Sequence, residues 1–240
     1  FHIEVRYESG GYFIDEESVE NSIITDTVEA FEIFSSVNLQ TGMPDFVLAE
    51  NRKPTGNEHF HFLVKAILAN SEISFIYRKY FPEEESQIFV APYALKESRN
   101  RWYLIGVKRG ENELKAFGLD RISFPAREDR KFKSKFPVEQ IKAHFADSFA
   151  MFTDAEVEKV ILKFDKRDGN YIKSFPIHPS QPLTEDKNSV IVTLQIRITL
   201  DFMMELMSRA WSLEVIEPLS LREKLAGIFE DATGRNGTLL

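Results

Sequence analysis

Apolar and polar positions alternate through His2-Ile3-Glu4-Val5-Arg6-Tyr7 and resume in Tyr12-Phe13-Ile14-Asp15, after Glu8-Ser9-Gly10-Gly11. Two short alternating runs about a Gly-Gly turn predict a β-hairpin. A lone hairpin is marginal in water, so this one is expected to pack on something else. The period then changes. Over residues 19–38, Ile23, Ile24, Val28, Phe31, Ile33 and Phe34 fall at helical spacing. Residues 40–57 contain Gly42, Pro44, Pro54 and Gly56 and read as an irregular connector. A second helix is expected over 58–70, with Phe62, Leu63, Ala66 and Ile67 on one side.

From Ser71 the pattern is that of strands: ISFIYRKYF, SQIFVAPYAL, WYLIGVKR, ELKAFGL and RISFPA. The first two are separated by a predicted loop, Pro82-Glu83-Glu84-Glu85. Five short strands at intervals of about ten residues predict a small barrel or strongly curled sheet. A helix follows over 136–152, with Pro137 in its first turn.

The last third has another rhythm. EKVILKFD reads as a strand, KRDGNYIKSF as a short helix broken by Gly169, and residues 174–184 as a weak strand interrupted by prolines. SVIVTLQIRI alternates strongly and is a strand; residues 199–209 are a helix that Asp201 or Thr199 can cap. A strand over 211–217, a helix over 219–231 and a frayed tail, GRNGTLL, complete the chain. The order β-α-β-β-α-β plus a helix is the split βαβ pattern of a ferredoxin-like domain. The expected fold is therefore α+β.

Composition agrees with a globular protein and removes several chemistries. The 240 residues are 43% hydrophobic and 28% charged, with a formal net charge of −8. There is no cysteine, which excludes thiol catalysis, cysteine-ligated zinc and iron–sulfur clusters, and suits a reducing compartment. No apolar run approaches the ~20 residues of a membrane span, and no signal peptide is visible. The chain begins at Phe1 rather than Met, so a fragment or a processed form is expected. Charge is uneven. Residues 1–70 hold 4 basic and 12 acidic side chains, residues 71–135 hold 14 and 10, and residues 136–240 hold 12 and 16. The middle third is a basic island in an acidic protein, and a local basic field can bind an anion that the whole chain repels. Solvated surface Lys and Arg are the plainer account of the same numbers.

Catalytic motifs do not appear. There is no G-x-S-x-G elbow, phosphate-binding P-loop, dinucleotide glycine fingerprint or H-E-x-x-H. His59 and His61 sit two apart on an expected helix and so face different ways, which argues against a metal site. Asp165-Lys166-Arg167-Asp168-Gly169-Asn170 lacks the spacing and closing Glu of a calcium loop. Glu83, Glu84 and Glu85 read as a solvated charge run, and His178 as a turn or packing residue.

The positive signal lies in residues 71–122. Tyr77 ends an aromatic strand; Pro92 is followed three residues on by Leu95; then come Arg101-Trp102-Tyr103-Leu104 and Leu119-Asp120-Arg121-Ile122. This ordered set resembles the WYL-domain family of bacterial transcriptional regulators, named for the tripeptide that stands here as Trp102-Tyr103-Leu104. The resemblance extends outward. The hairpin matches the wing of a winged helix-turn-helix, and His178-Pro179-Ser180-Gln181 with VIEPLSLREKL matches the family's C-terminal extension. The resemblance implies a wing remnant at 1–15, a helical linker at 16–70, an Sm/SH3-like five-stranded β-barrel at 71–135, a linker helix at 136–155 and a ferredoxin-like extension at 156–240. The recognition helix is missing from this sequence.

The resemblance further implies a cytoplasmic, non-enzymatic effector sensor that forms a homodimer, needs no cofactor or metal, and reaches operator DNA through the missing helix-turn-helix. Its ligand would be an anion, a nucleotide or single-stranded nucleic acid. By position, Tyr77, Tyr93, Arg101, Tyr103 and Arg121 would contribute, with Lys79 and Lys115 adding point charges. Arginine grips phosphate bidentately and aromatic faces stack bases. Many members carry a small polar residue where Lys79 stands and His where Tyr93 stands. Trp102 and Leu104 share a strand face and are expected in the core; Tyr103 points the other way. Asp120 and Arg121 also fit a plain surface ion pair. A second reading, a protein-interaction module with the Arg and Tyr side chains as a hot spot, stays open. A nucleotide hydrolase is a distant third.

Overall fold

The computed structural model describes residues 5–8, 11–14 and 55–237. In the first of these, β1 (Val5–Glu8) pairs antiparallel with β2 (Gly11–Ile14), Val5 opposite Ile14 and Glu8 opposite Gly11. The helix expected over 19–38 lies outside the described residues, as does all but the end of the connector. The chain divides into two compact units, Phe1–Val138 and Glu139–Leu240. Each is α+β and built on its own antiparallel sheet.

In the first unit a 3-10 turn (Asn57–His59) leads into α1 (Phe60–Leu68). Five strands follow: β3 (Ser71–Tyr80), β4 (Glu83–Ser98), β5 (Arg101–Lys108), β6 (Leu114–Gly118) and β7 (Ile122–Lys131). Their spatial order is β6-β5-β4-β3-β7. Among the described residues the expected closure into a barrel is not made: β6 pairs only with β5, β7 only with β3, and both are edges. The two stand at opposite ends of the strand order, and a 3-10 turn rather than a hydrogen-bonded ladder carries the chain from one to the other. Apolar side chains from alternate strand positions meet those of α1. Leu63, Ile73, Val90, Leu104 and Leu119 are fully buried there. As its alternation predicts, Leu104 is core, and Trp102 packs edge-on against Phe60 with ring centroids 4.9 Å apart.

The loop expected at Pro82–Glu85 is shorter than that. Only Phe81 and Pro82 connect β3 to β4, and Glu83, Glu84 and Glu85 are strand residues opposite Tyr80, Lys79 and Arg78. The charge run is thus one rail of a cross-strand ladder, with Glu83 bound to Arg78 and Glu84 lying 3.4 Å from Lys79 Nζ.

From α2 (Val138–His144), which starts at the boundary, the second unit continues with β8 (Val157–Asp165), α3 (Lys166–Ser174), β9 (Leu183–Glu185), β10 (Ser189–Arg197), α4 (Leu200–Met207), β11 (Glu214–Glu217) and α5 (Leu219–Asn236). The strand order is β11-β8-β10-β9, every neighbour antiparallel. Val160, Leu162 and Phe164 of β8 and Val190, Val192 and Leu194 of β10 bury one face of this sheet against Ile172, Phe202 and Leu206 of the helices.

Three expectations change here. The helix expected over 136–152 stops at His144. Asp201 Oδ2 accepts the Met151 and Phe152 N–H groups at 2.9 and 3.2 Å, so neither amide is left for a helix. Gly169 does not break α3. A Cβ there would lie 2.3 Å from Val190 Cγ2, so the residue is glycine because the helix sits directly on β10. Finally, α5 runs on through Gly234 to Asn236, where a frayed tail is expected. The DKRDGN stretch is a helix start: Asp165 Oδ1 accepts the Asp168 N–H at 2.8 Å as an N-cap. His178 is buried, its Nε2 donating to Ala146 O at 2.7 Å while Nδ1 accepts the Ser180 N–H at 3.2 Å.

Candidate functional site

The site grows from the end of β6. Gly118 closes that strand, and a 3-10 turn (Leu119–Arg121) swings the chain into β7. Leu119 is fully buried and anchors the turn, and His59 Nε2 donates to Ile122 O at 3.1 Å just beyond it. With its backbone held from inside, the turn presents Asp120 and Arg121 together.

Tyr77 lies under this turn. It faces Ile122 in the β3–β7 pairing and is 7% exposed. Its ring meets that of Phe117 edge-on at 5.4 Å, and its hydroxyl accepts the Gly118 N–H at 3.3 Å. Burial raises the Tyr77 pKa, with Arg121 opposing the shift. The phenol is therefore a neutral ring with its oxygen pinned to the turn.

Arg121 fits between two aromatic faces. Its guanidinium carbon lies 5.1 Å from the Tyr77 ring centroid and 5.2 Å from that of Tyr80. Its Nε is buried without a hydrogen-bond partner. Asp120 Oδ1 is 3.9 Å from that nitrogen, too far to satisfy it. The other oxygen, Oδ2, accepts from Tyr80 Oη at 3.1 Å and from Arg101 Nη1 at 3.3 Å. Desolvation, then the bond to Asp120, raises the Tyr80 pKa. The Asp120 side chain is only 15% exposed, so the pair is not the surface ion pair that its sequence allows.

The structure thus gathers Tyr77, Arg101 and Arg121, with Tyr103 opposite Gly118 in the β5–β6 pairing. It does not gather the other three expected residues. Lys79 is engaged by Glu84 in the hairpin ladder. Lys115 is bound by Glu111, whose pKa it lowers. Tyr93 is the extra residue in a bulge of β4, between Pro92 and Ala94. Its ring packs on Phe132 and Phe136 at 5.1 and 5.6 Å, and its hydroxyl accepts the Lys135 N–H at 3.3 Å. Lys79 and Tyr93 are the two positions where the sequence departs from the family pattern. Tyr80 and Asp120 complete the cluster and were not among the expected residues. The only hint of Tyr80 is its position three residues after Tyr77.

What this arrangement offers is a cationic planar group with one unused donor, flanked by π-faces, beside a second arginine. Among the described residues no group of three or more His, Asp or Glu is placed to hold a metal ion. No described helix is long and apolar enough to cross a membrane. The second unit holds a shallow cleft of about 500 Å³ near Lys163, Asp186, Ser212 and Glu214. There Lys163 pairs with Glu214 at 2.9 Å, and Asp186 accepts the Asn188 and Ser189 amides at 2.7 Å.

Two family profiles match the chain: the WYL domain over residues 58–125 and the WCX domain over residues 156–233. No curated relative matches. Among solved structures, "Proteasome accessory factor B/C (PafBC) of Arthrobacter aurescens" is similar at 17% identity with a TM-score of 0.33, over 76% of this chain and 28% of that one. "Crystal structure of a CRISPR Cas-related protein" is similar at 14% identity with a TM-score of 0.46, over 76% of this chain and 54% of that one. The chain therefore spans about a quarter of the first and about half of the second. The two matched profiles together take in more than half of the chain, which belongs to the WYL-domain family of regulators.

Proposed function

We propose that this chain is the effector-sensing region of a DNA-binding transcriptional regulator, and that the cluster at residues 118–121 binds an anionic ligand, a nucleotide or a single-stranded nucleic acid. The observation that carries this is Arg121: a guanidinium between the rings of Tyr77 and Tyr80, its Nε buried and unbonded. A buried donor without a partner costs roughly 1–3 kcal/mol, and a phosphate oxygen would recover it on a shift of the Arg121 side chain that opens this nitrogen to the ligand. Arg101 beside it supplies a second fork, and the exposed Tyr80 ring a face for a base.

The domain reading goes with this proposal: wing at 1–15, helical linker at 16–70, sensor at 71–135, linker at 136–155 and C-terminal extension at 156–240. The last strand of the first sheet returns beside the first, which supports the Sm/SH3-like reading of an open sheet. The β11-β8-β10-β9 order supports the ferredoxin-like one. The protein acts in the cytoplasm as a homodimer. Ligand binding favours one arrangement of the two copies and so repositions a helix-turn-helix on its operator, which requires tighter binding to that arrangement.

The test is fluorescence anisotropy of short single-stranded DNA and RNA with the wild type and Arg121→Ala, at low and physiological salt. Salt-sensitive binding that the substitution abolishes is expected. Equal behaviour of the two proteins overturns the proposal. One observation favours a second reading, a protein-interaction surface: Phe81 and Phe124, close in sequence to the cluster, are 95% and 81% exposed. Loss of a protein partner on substituting these two phenylalanines, with nucleic-acid binding absent throughout, would favour it.

A further inference from the structure

Asp120 is the unusual member of an anion site, because it is itself an anion. Its carboxylate takes the Tyr80 hydroxyl and one Arg101 N–H, and lies within 3.9 Å of Arg121 Nε. Among the described residues, the cations within 4 Å of its carboxylate are Arg101 and Arg121. Two positive groups and one negative leave the cluster with a net charge of +1.

We infer that Asp120 sets the charge selectivity of this site, making it accept singly charged phosphodiesters and disfavour terminal phosphates. This rests on the reading of the cluster as an anion site. The physical reason is simple. A diester phosphate brings one negative charge, which the net +1 neutralises. A terminal phosphate brings about −1.5 to −2 near pH 7. Its second charge would lie close to the Asp120 carboxylate in a half-buried setting, where screening by water is weak. Asp120 is held where it is by the Tyr80 hydroxyl and by Arg101. Its Oδ1 and the Arg121 guanidinium both occupy the space over Gly118, where a Cβ would lie 2.5 Å from the first and 2.9 Å from Nη2 of the second. The site would thus recognise the interior of a nucleic-acid strand, or another diester, ahead of a free mononucleotide.

A matched pair of probes tests this: thymidine 5′-monophosphate and its phosphate methyl ester, which carry the same base and sugar and differ in charge. Each is titrated calorimetrically at pH 7.5 into the wild type, Asp120→Asn and Arg121→Ala. Wild type is expected to bind the ester about tenfold more tightly than the monophosphate. Asp120→Asn, nearly isosteric and still able to accept the two hydrogen bonds, is expected to tighten the monophosphate more than the ester and bring the ratio near one. Arg121→Ala is expected to lose both. If Asp120→Asn leaves the ratio unchanged or weakens both probes while Arg121→Ala still loses them, the inference is wrong and the anion site stands. If the wild type and Arg121→Ala behave alike toward both probes, the site itself is wrong, and the inference falls with it.

Discussion

Gly118 and Asp120 are packed so closely that the smallest side chain at 118 would put its Cβ 2.5 Å from Asp120 Oδ1. The backbone of Gly118 is in the ordinary extended region, φ −60 and ψ 129, so alanine could adopt it without strain. What it would displace are the ends of two side chains, Asp120 and Arg121, rather than backbone.

Gly118→Ala is therefore expected to separate stability from binding. Its melting temperature should stay within a few degrees of wild type, since less than ~1 kcal/mol is at stake. Oligonucleotide affinity should fall by about tenfold as Arg121 leaves the two rings. Thermal melting together with anisotropy checks both halves, and an unchanged affinity would contradict the geometry.

In the second unit Asp168 and Arg209 form a buried pair, Oδ1 to Nη1 at 2.6 Å, with Ser212 Oγ donating to the other carboxylate oxygen at 2.6 Å. The Asp168 side chain is 2% exposed. Removing its cation by Arg209→Leu leaves that carboxylate uncompensated and is expected to cost about 3–5 kcal/mol. Denaturant unfolding measures this, and a loss below 1 kcal/mol would refute it.

Gly169→Ala would improve helix propensity by ~1 kcal/mol on an exposed helix. Here it should destabilise instead, by about 1–3 kcal/mol, because the new methyl meets the fully buried Val190. Combining it with Val190→Ala should recover part of that loss relative to Val190→Ala alone. Additive losses in the double-mutant cycle would show that the two residues do not press on each other.

Glu185 is held at a pKa of about 2 by its bonds to Lys166 and Lys173. A carboxyl lowered on folding contributes stability above its unfolded pKa near 4.5 and loses it as the pH falls toward 2. Glu185→Gln should therefore flatten the acid limb of the stability curve between about pH 4.5 and 2 and leave the region below it unchanged. Because the group is exposed, the difference should shrink in ~1 M salt, where the Debye length is about 3 Å.

How far these sites were legible in the sequence depended on range. Period-two alternation is local, so Leu104 and Trp102 could be assigned to the core face from neighbouring residues alone. The succession of strands and helices in the second unit was legible as alternation, whereas its strand order, β11-β8-β10-β9, depends on pairings distant in sequence. Gly169 misled because a helix breaker and a close approach use the same residue, and only the position of Val190 distinguishes them. The partners of Lys79 and Lys115 depended on turn lengths, which decided whether Glu84 and Glu111 would reach them. Tyr80 was hidden for a different reason. Alternation puts Tyr77 and Tyr80 on opposite faces of β3, yet Arg121 meets both rings, because the 119–121 turn passes the end of that strand. No pattern within β3 encodes where a turn some forty residues later will run.

The open edge at β7 has a consequence for how the molecule behaves in a crowded solution. The outer edge of this ten-residue strand, which has no partner among the described residues, is a template onto which another chain can add. This one carries Arg127, Glu128, Asp129, Arg130 and Lys131 along its outer half, and Pro125 offers no N–H to an incoming strand. A chain docking there would have to strip water from five charges in succession. That cost works against the growth of fibrils along this edge.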